Sequence, residues 1–192
     1  LALARAGRAA RVGIRDLENG ILPDLPYDLW MTDMDMSVPP NWETHGWFYR
    51  EGVRLRSANE LVDLLVDVTS KNGVFLLNVP PMADGSFSDE VKATLGELGA
   101  WLRQNGEAIY GTSPWFLYGE GPTEIPEGNY TFHHNNHFAQ IAYVADDIRF
   151  TVKRDFLYAT CLGKPGKELR IRALGSAFKV KQGEVVSITH LA

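Results

Sequence analysis

The stretch from Ser57 to Val79 constrains this chain more than any other, because it reads as a helix followed at once by a buried strand. Ser57 with Glu60 three residues later is a capping box, in which each side chain satisfies a backbone N–H that the first helical turn leaves open. Leu61, Leu64, Leu65 and Val68 then recur at i, i+3, i+4 and i+7, one apolar stripe facing a core. Asn72 and Gly73 end the helix, since both tolerate the left-handed backbone that closes one. The run Val74-Phe75-Leu76-Leu77-Asn78-Val79 comes next and predicts a strand buried on both faces of a parallel sheet. Pro80 and Pro81 stop it, and Ala83-Asp84-Gly85 makes a turn. A second helix is predicted from Ser88, with Asp89 and Glu90 at its positive end and Val91, Leu95, Leu98 and Leu102 as its stripe beside Trp101. Asn105 and Gly106 close it.

The two halves of the chain differ in texture. Up to about Trp115, apolar runs alternate with helix-period segments, the pattern of β/α units, and Trp30–Thr32 reads as another strand end. Beyond the glycine- and proline-rich joint at Gly119–Gly128, short strands are predicted at Ile141–Val144, Ile148–Lys153, Phe156–Cys161, Leu169–Ala173, Phe178–Lys181 and Val185–His190. Strands at such intervals suggest an antiparallel sandwich.

Composition narrows the function classes. The 192 residues carry a net charge of −5 and no dominant basic face, which argues against a nucleic-acid binder. No segment approaches the ~18 apolar residues of a membrane span, so no membrane partner is expected. The single cysteine, Cys161, cannot form an internal disulfide or a thiolate metal cage, and its apolar neighbours predict a buried structural thiol. His133, His134 and His137 cluster, but no carboxylate or cysteine motif supports a metal there, and no metal or other cofactor is expected.

Three ordered stretches resemble the retaining α-L-fucosidases of glycoside hydrolase family 29. They are LVDVTSKNGVFLLNVPPMADGSFSDE (65–90), NGEAIYGTSPW (105–115) and DIRFTVKRDFLYATCLGKP (147–165). The second is similar to the family's NGEAIYGTRPW, with Ser113 in place of arginine. The resemblance implies an α/β plus all-β fold: residues 1–115 as the C-terminal part of a (β/α)8-like catalytic barrel, and residues 116–192 as a C-terminal antiparallel β-sandwich. It implies hydrolysis of terminal α-L-fucosyl residues with retention, a fucosylated oligosaccharide or glycoconjugate as partner, and a secreted or periplasmic setting. A full barrel needs about 250 residues, and the family's aspartate nucleophile motif is not found here. The chain therefore reads as a fragment that needs the remainder of the catalytic barrel, and the isolated 192 residues are expected to be inactive.

Retaining hydrolysis uses two carboxyl groups about 5 Å apart, one attacking the sugar and one carrying the proton. By the resemblance, an acid/base glutamate stands a few residues before a Ser-Ile pair; Ser37–Val38 matches that pair and puts Asp33 in the glutamate's place. Asp33 also follows the predicted strand end, where barrel enzymes carry catalytic groups. Glu43, flanked by Trp42 and with the longer reach, is its rival. Trp47 and Tyr49 offer apolar faces to a sugar, or wedge the loop onto the barrel. Asn78, at the end of the LLN strand, either points into the pocket or holds neighbouring loops. A different class of reading is a non-catalytic carbohydrate-binding or assembly module using Phe132, Tyr143, Phe156 and Tyr158.

Overall fold

The computed structural model describes residues 13–38, 47–125, 141–175, 185 and 187–191. Helix α1 (Ala58–Ser70) starts with the predicted box: Ser57 Oγ accepts the Glu60 N–H at 3.2 Å, and Glu60 Oε2 accepts the Ser57 N–H at 2.8 Å. It ends at Asn72, whose φ of 64° is left-handed. Helix α2 (Asp89–Asn105) is capped by Ser88 Oγ, which accepts the Val91 N–H at 3.2 Å. A 3₁₀ turn at Gly106–Ala108 follows. None of the helices in the described residues is long and apolar enough to cross a membrane.

Three strands form a parallel sheet in the order β1 (Arg15–Asp16), β2 (Trp30–Asp35), β5 (Gly73–Asn78). A small antiparallel pair, β3 (Ser37–Val38) and β4 (Arg54–Leu55), leads into α1. On the helix-covered face of the parallel sheet, Trp30, Met34 and Phe75 pack with Leu64 and Val68 of α1 and with Leu17, Ile21 and Leu22. Gly73 is required by that packing, because a Cβ there would lie 2.7 Å from the Trp30 ring. Trp30 Nε1 in turn donates to the Lys71 carbonyl at 2.8 Å, tying the strand to the end of α1.

The second sheet is antiparallel, ordered β6 (Ser113–Glu120), β7 (Ile148–Lys153), β8 (Phe156–Cys161). One face carries Ile148, Phe150, Trp115, Leu117 and Leu157, with Ala173 against them. The opposite face of β7 meets the first half of the molecule: Thr151 Oγ1 donates to the Ala108 carbonyl at 2.7 Å, and Arg149 reaches α1.

Several sequence expectations change. Burial along β5 alternates instead of covering both faces: Phe75 packs inward, while Val74 and Leu76 are 42% and 52% exposed. Strand β2 continues past Thr32 to Asp35, so Asp33 lies within a strand and not in the loop after one. Ile141–Val144 forms no strand, because the Val144 N–H and carbonyl are consumed in a turn closed by Asp147. Leu169–Ala173 forms none either. There the Arg172 and Ala173 N–H groups donate to the Glu120 carboxylate at 2.8 and 2.7 Å, and a 3₁₀ turn spans Arg172–Leu174. The described residues of 185–190 are not in a strand, and Phe178–Lys181 lies outside the described residues. Cys161 is only half-buried, although burial still pushes its thiol pKa up.

Candidate active site

The parallel register of β2 and β5 sets out the site. Asp33 pairs with Leu76 and Asp35 with Asn78, so Met31, Asp33, Asp35, Val74, Leu76 and Asn78 share the face turned away from the helices. An open cavity of about 530 Å³ lies on that face, lined by Asp33, Trp47, Leu76, Leu77, Asn78 and Val79. Three of the predicted residues, Asp33, Trp47 and Asn78, are thus brought together by strands whose pairing the sequence did not specify. Tyr49 is not among the lining residues; its N–H donates to the Pro81 carbonyl at 3.3 Å. Glu43, Phe132 and the three clustered histidines lie outside the described residues.

Asp35, a neighbour of Asp33 that carried no expected role, organises the polar network at the end of the strands. Its buried carboxylate accepts the Ser37 N–H at 3.0 Å, the Ser37 hydroxyl at 2.6 Å and Asn78 Nδ2 at 3.2 Å. Asn78 Nδ2 also donates to the Trp47 carbonyl at 3.0 Å, so one amide couples the two strand ends to the Trp47 segment. Arg56 Nε donates to the Asp35 carbonyl at 3.1 Å, and burial lowers the Arg56 pKa. The only advance sign of this network was the polar Asp33–Asp35 interruption of an otherwise apolar segment.

A second polar cluster lies between the two halves. Asp67 of α1 accepts Lys71 Nζ at 2.8 Å on one oxygen and Arg149 Nε of β7 at 2.6 Å on the other, and all three side chains are buried. Lys71 Nζ also donates to the Leu22 carbonyl at 2.9 Å. The Tyr118 ring lies 4.8 Å from Lys71 Nζ, and the Tyr143 ring 5.3 Å from the Arg149 guanidinium. Burial drives the Lys71 pKa down; it works against the Arg149 charge too, but Asp67 outweighs it and leaves that pKa raised. Tyr143 is therefore part of this joint. Phe156 is exposed on β8, with its ring 6.4 Å from that of Tyr158.

The family model for α-L-fucosidase matches residues 9–107. The chain belongs to the α-L-fucosidase family. Relatives include the tissue α-L-fucosidase of Mus musculus, 33% identical over 102 residues (52% of this chain and 21% of that protein), and the plasma α-L-fucosidase of Homo sapiens, 34% identical over 103 residues (49% and 22%). The chain thus spans about a fifth of the length of these fucosidases. Among solved structures, it is similar to the Thermotoga maritima α-fucosidase in complex with a mechanism-based inhibitor, with TM-score 0.57 and 30% identity over 79% of this chain and 29% of that one. The complex of the Thermotoga maritima enzyme with fucose gives TM-score 0.51 and 32% identity over 72% and 26%.

Proposed function

We propose that this chain supplies one wall of the active site of a retaining α-L-fucosidase, which removes terminal α-L-fucosyl residues from glycans. In this reading, residues 1–115 are the last part of a (β/α)8-like catalytic barrel and residues 116–192 a β-sandwich packed against it. The cavity that brings Asp33, Trp47 and Asn78 together on one sheet face carries the proposal. Asp33 protonates the glycosidic oxygen as the bond to fucose breaks, then takes the proton from the water that releases the sugar. The attacking carboxylate comes from outside these residues, about 5 Å across the cavity. Asn78, its Nδ2 already committed to Asp35 and Trp47, turns its acceptor oxygen to a sugar hydroxyl. Trp47 packs on an apolar face of the sugar. The uncovered face of β2 and β5 fits a sheet that is completed by the remainder of the barrel.

The test uses the enzyme containing this segment. An acid/base variant loses most on substrates with poor leaving groups, while the first step on an activated aryl fucoside needs little proton donation. Asp33→Asn is expected to lower kcat/KM on a natural fucosyl glycan by about 10²–10⁴-fold and to spare an activated aryl fucoside far more. If Glu43→Gln gives that signature and Asp33→Asn does not, the proton carrier is Glu43.

A further inference from the structure

The joint between the two halves contains a carboxylate that neither the cavity nor the Asp67 ion pairs use. Asp63 lies one helical turn before Asp67 on α1 and is 7% exposed. Its neighbours on the helix, Val62 and Val66, belong to a cluster that crosses the joint with Leu98 and Trp101 of α2 and Leu162 and Tyr143 from the second half. Asn59 Nδ2 donates to Asp63 Oδ2 at 2.9 Å. In the other half, a like charge felt by Asp63 is carried by buried Asp147. That side chain accepts the Thr123 N–H at 3.0 Å, the Thr123 hydroxyl at 2.6 Å and the Val144 N–H at 2.7 Å, and so is held in place from its own half.

The charges facing Asp63 come from each element around it. Its own helix contributes Glu60, the turn before β7 contributes Asp147, and β7 contributes Arg149; its own charge is felt in turn by the Tyr143 hydroxyl. Glu60 is paired at the surface with Arg54, at 2.9 Å. Without Asp63, the buried joint is balanced: Asp67 and Asp147 against Lys71 and Arg149. An ionised Asp63 makes three carboxylates against two cations, in a setting where an uncompensated charge is costly.

We propose that Asp63 is a proton-operated contact between the two halves, one that seals the joint when it carries a proton and loosens it when it does not. Burial first, then the Asp147 and Glu60 charges, raise the Asp63 pKa to about 7, from an ordinary value near 3.8. The folded chain therefore holds this proton more tightly than the unfolded chain. The stabilisation is fully present below the unfolded value, falls as pH rises towards neutrality, and levels off above the folded value. The joint is tightest on the acid side of neutral.

Urea unfolding of the 192-residue chain between pH 5 and 8 tests this, with Asp63→Asn as a residue that stays neutral throughout. The wild-type folded-to-unfolded ratio, relative to that variant, is expected to fall by up to about tenfold per pH unit between pH 5 and 7 and then to flatten. Asn59→Ala, at an exposed site, removes a bond that favours the charged form, so its flattening point moves to higher pH. Amide exchange at Leu162, whose N–H bonds to the Asp147 carbonyl at 2.9 Å, reads the joint itself. Above pH 7 it is expected to exceed the intrinsic rise with pH in wild type but not in Asp63→Asn. Parallel stability curves for wild type and Asp63→Asn overturn the proposal. If Asp63→Asn does not fold, the wild-type carboxyl ¹³C shift of Asp63 decides: a midpoint near neutrality supports the contact, and one below pH 5 overturns it.

Discussion

The sheet face around Asp33 and the joint around Asp67 are both polar, yet they are finished differently. At the joint both buried cations are met within the chain: Asp67 gives one oxygen to Lys71 and the other to Arg149, and two tyrosine rings cover the cations. On the sheet face, Val74 and Leu76 stand in solvent beside Asp33, although their neighbours on the other face of the same strand are packed. The exposed apolar area of such a face adds no hydrophobic stabilisation while it stays in water. The contrast separates an interface whose ions are paired within the chain from a sheet face left bare among the described residues.

Breaking the sealed side has the largest expected effect. Asp67→Asn leaves Lys71 and Arg149 as two buried cations without their shared anion, at a cost of about 3–5 kcal/mol in urea unfolding of this chain. Arg149→Met is expected to cost nearly as much, and the double variant less than the sum, since the two changes remove one interaction. A loss below about 1 kcal/mol for Asp67→Asn would place the joint among ordinary surface ion pairs.

A leucine pair sharpens the comparison at the next scale. Leu64 is buried between α1 and the parallel sheet, so Leu64→Ala should cost about 2–5 kcal/mol. Leu76→Ala, on the bare face, should change the stability of this chain by only about 0.5 kcal/mol. On the proposed reading, in which further protein covers this face, the Leu76→Ala cost in the complete enzyme should rise towards the Leu64→Ala value. Equal costs for the two leucines in the 192-residue chain would remove the distinction between a packed face and an open one.

That open face also marks how far the sequence could be read. Helix α1 was legible because its signals are local: Ser57 and Glu60 are three residues apart, and the stripe repeats within one turn. The limits of β7 and β8 were legible for the same reason. The one-sided burial of β5 was not, because an apolar run looks alike whether its second face is covered by its own chain or by something else. Nor was the length of β2: Thr32, Asp33 and Asp35 interrupt the apolar pattern, and only pairing with β5 makes those residues a strand. The Asp67–Arg149 bond joins residues 82 positions apart, and no local period carries that distance. The resemblance singled out Asp33, and the aromatic run and the strand end singled out Trp47 and Asn78, which line one cavity with it; Asp35 escaped because its partners are assembled by the fold.

The last test asks whether the cavity end of α1 is as weakly held as its exposed setting implies. Ser57 and Glu60 exchange two backbone bonds there, and Arg54 Nη1 reaches both Glu60 oxygens at 3.0 and 2.9 Å, all at the surface. Ser57→Ala should therefore cost about 1 kcal/mol, a fraction of the Asp67→Asn loss at the other end of the same helix. The penalty should also depend on pH in the sense opposite to Asp63. Burial alone would raise the Glu60 pKa, but bonds from Arg54 and Ser57 outweigh it and leave that pKa lowered. The Glu60 contribution is then present above its unfolded value and lost as pH falls through the lowered folded value. Below the ordinary glutamate range the Ser57→Ala penalty should shrink to what the cap on the Glu60 N–H supplies by itself. A Ser57→Ala penalty that stays constant down to pH 3 would mean that the bond from the Ser57 hydroxyl to the Glu60 carboxylate contributes nothing.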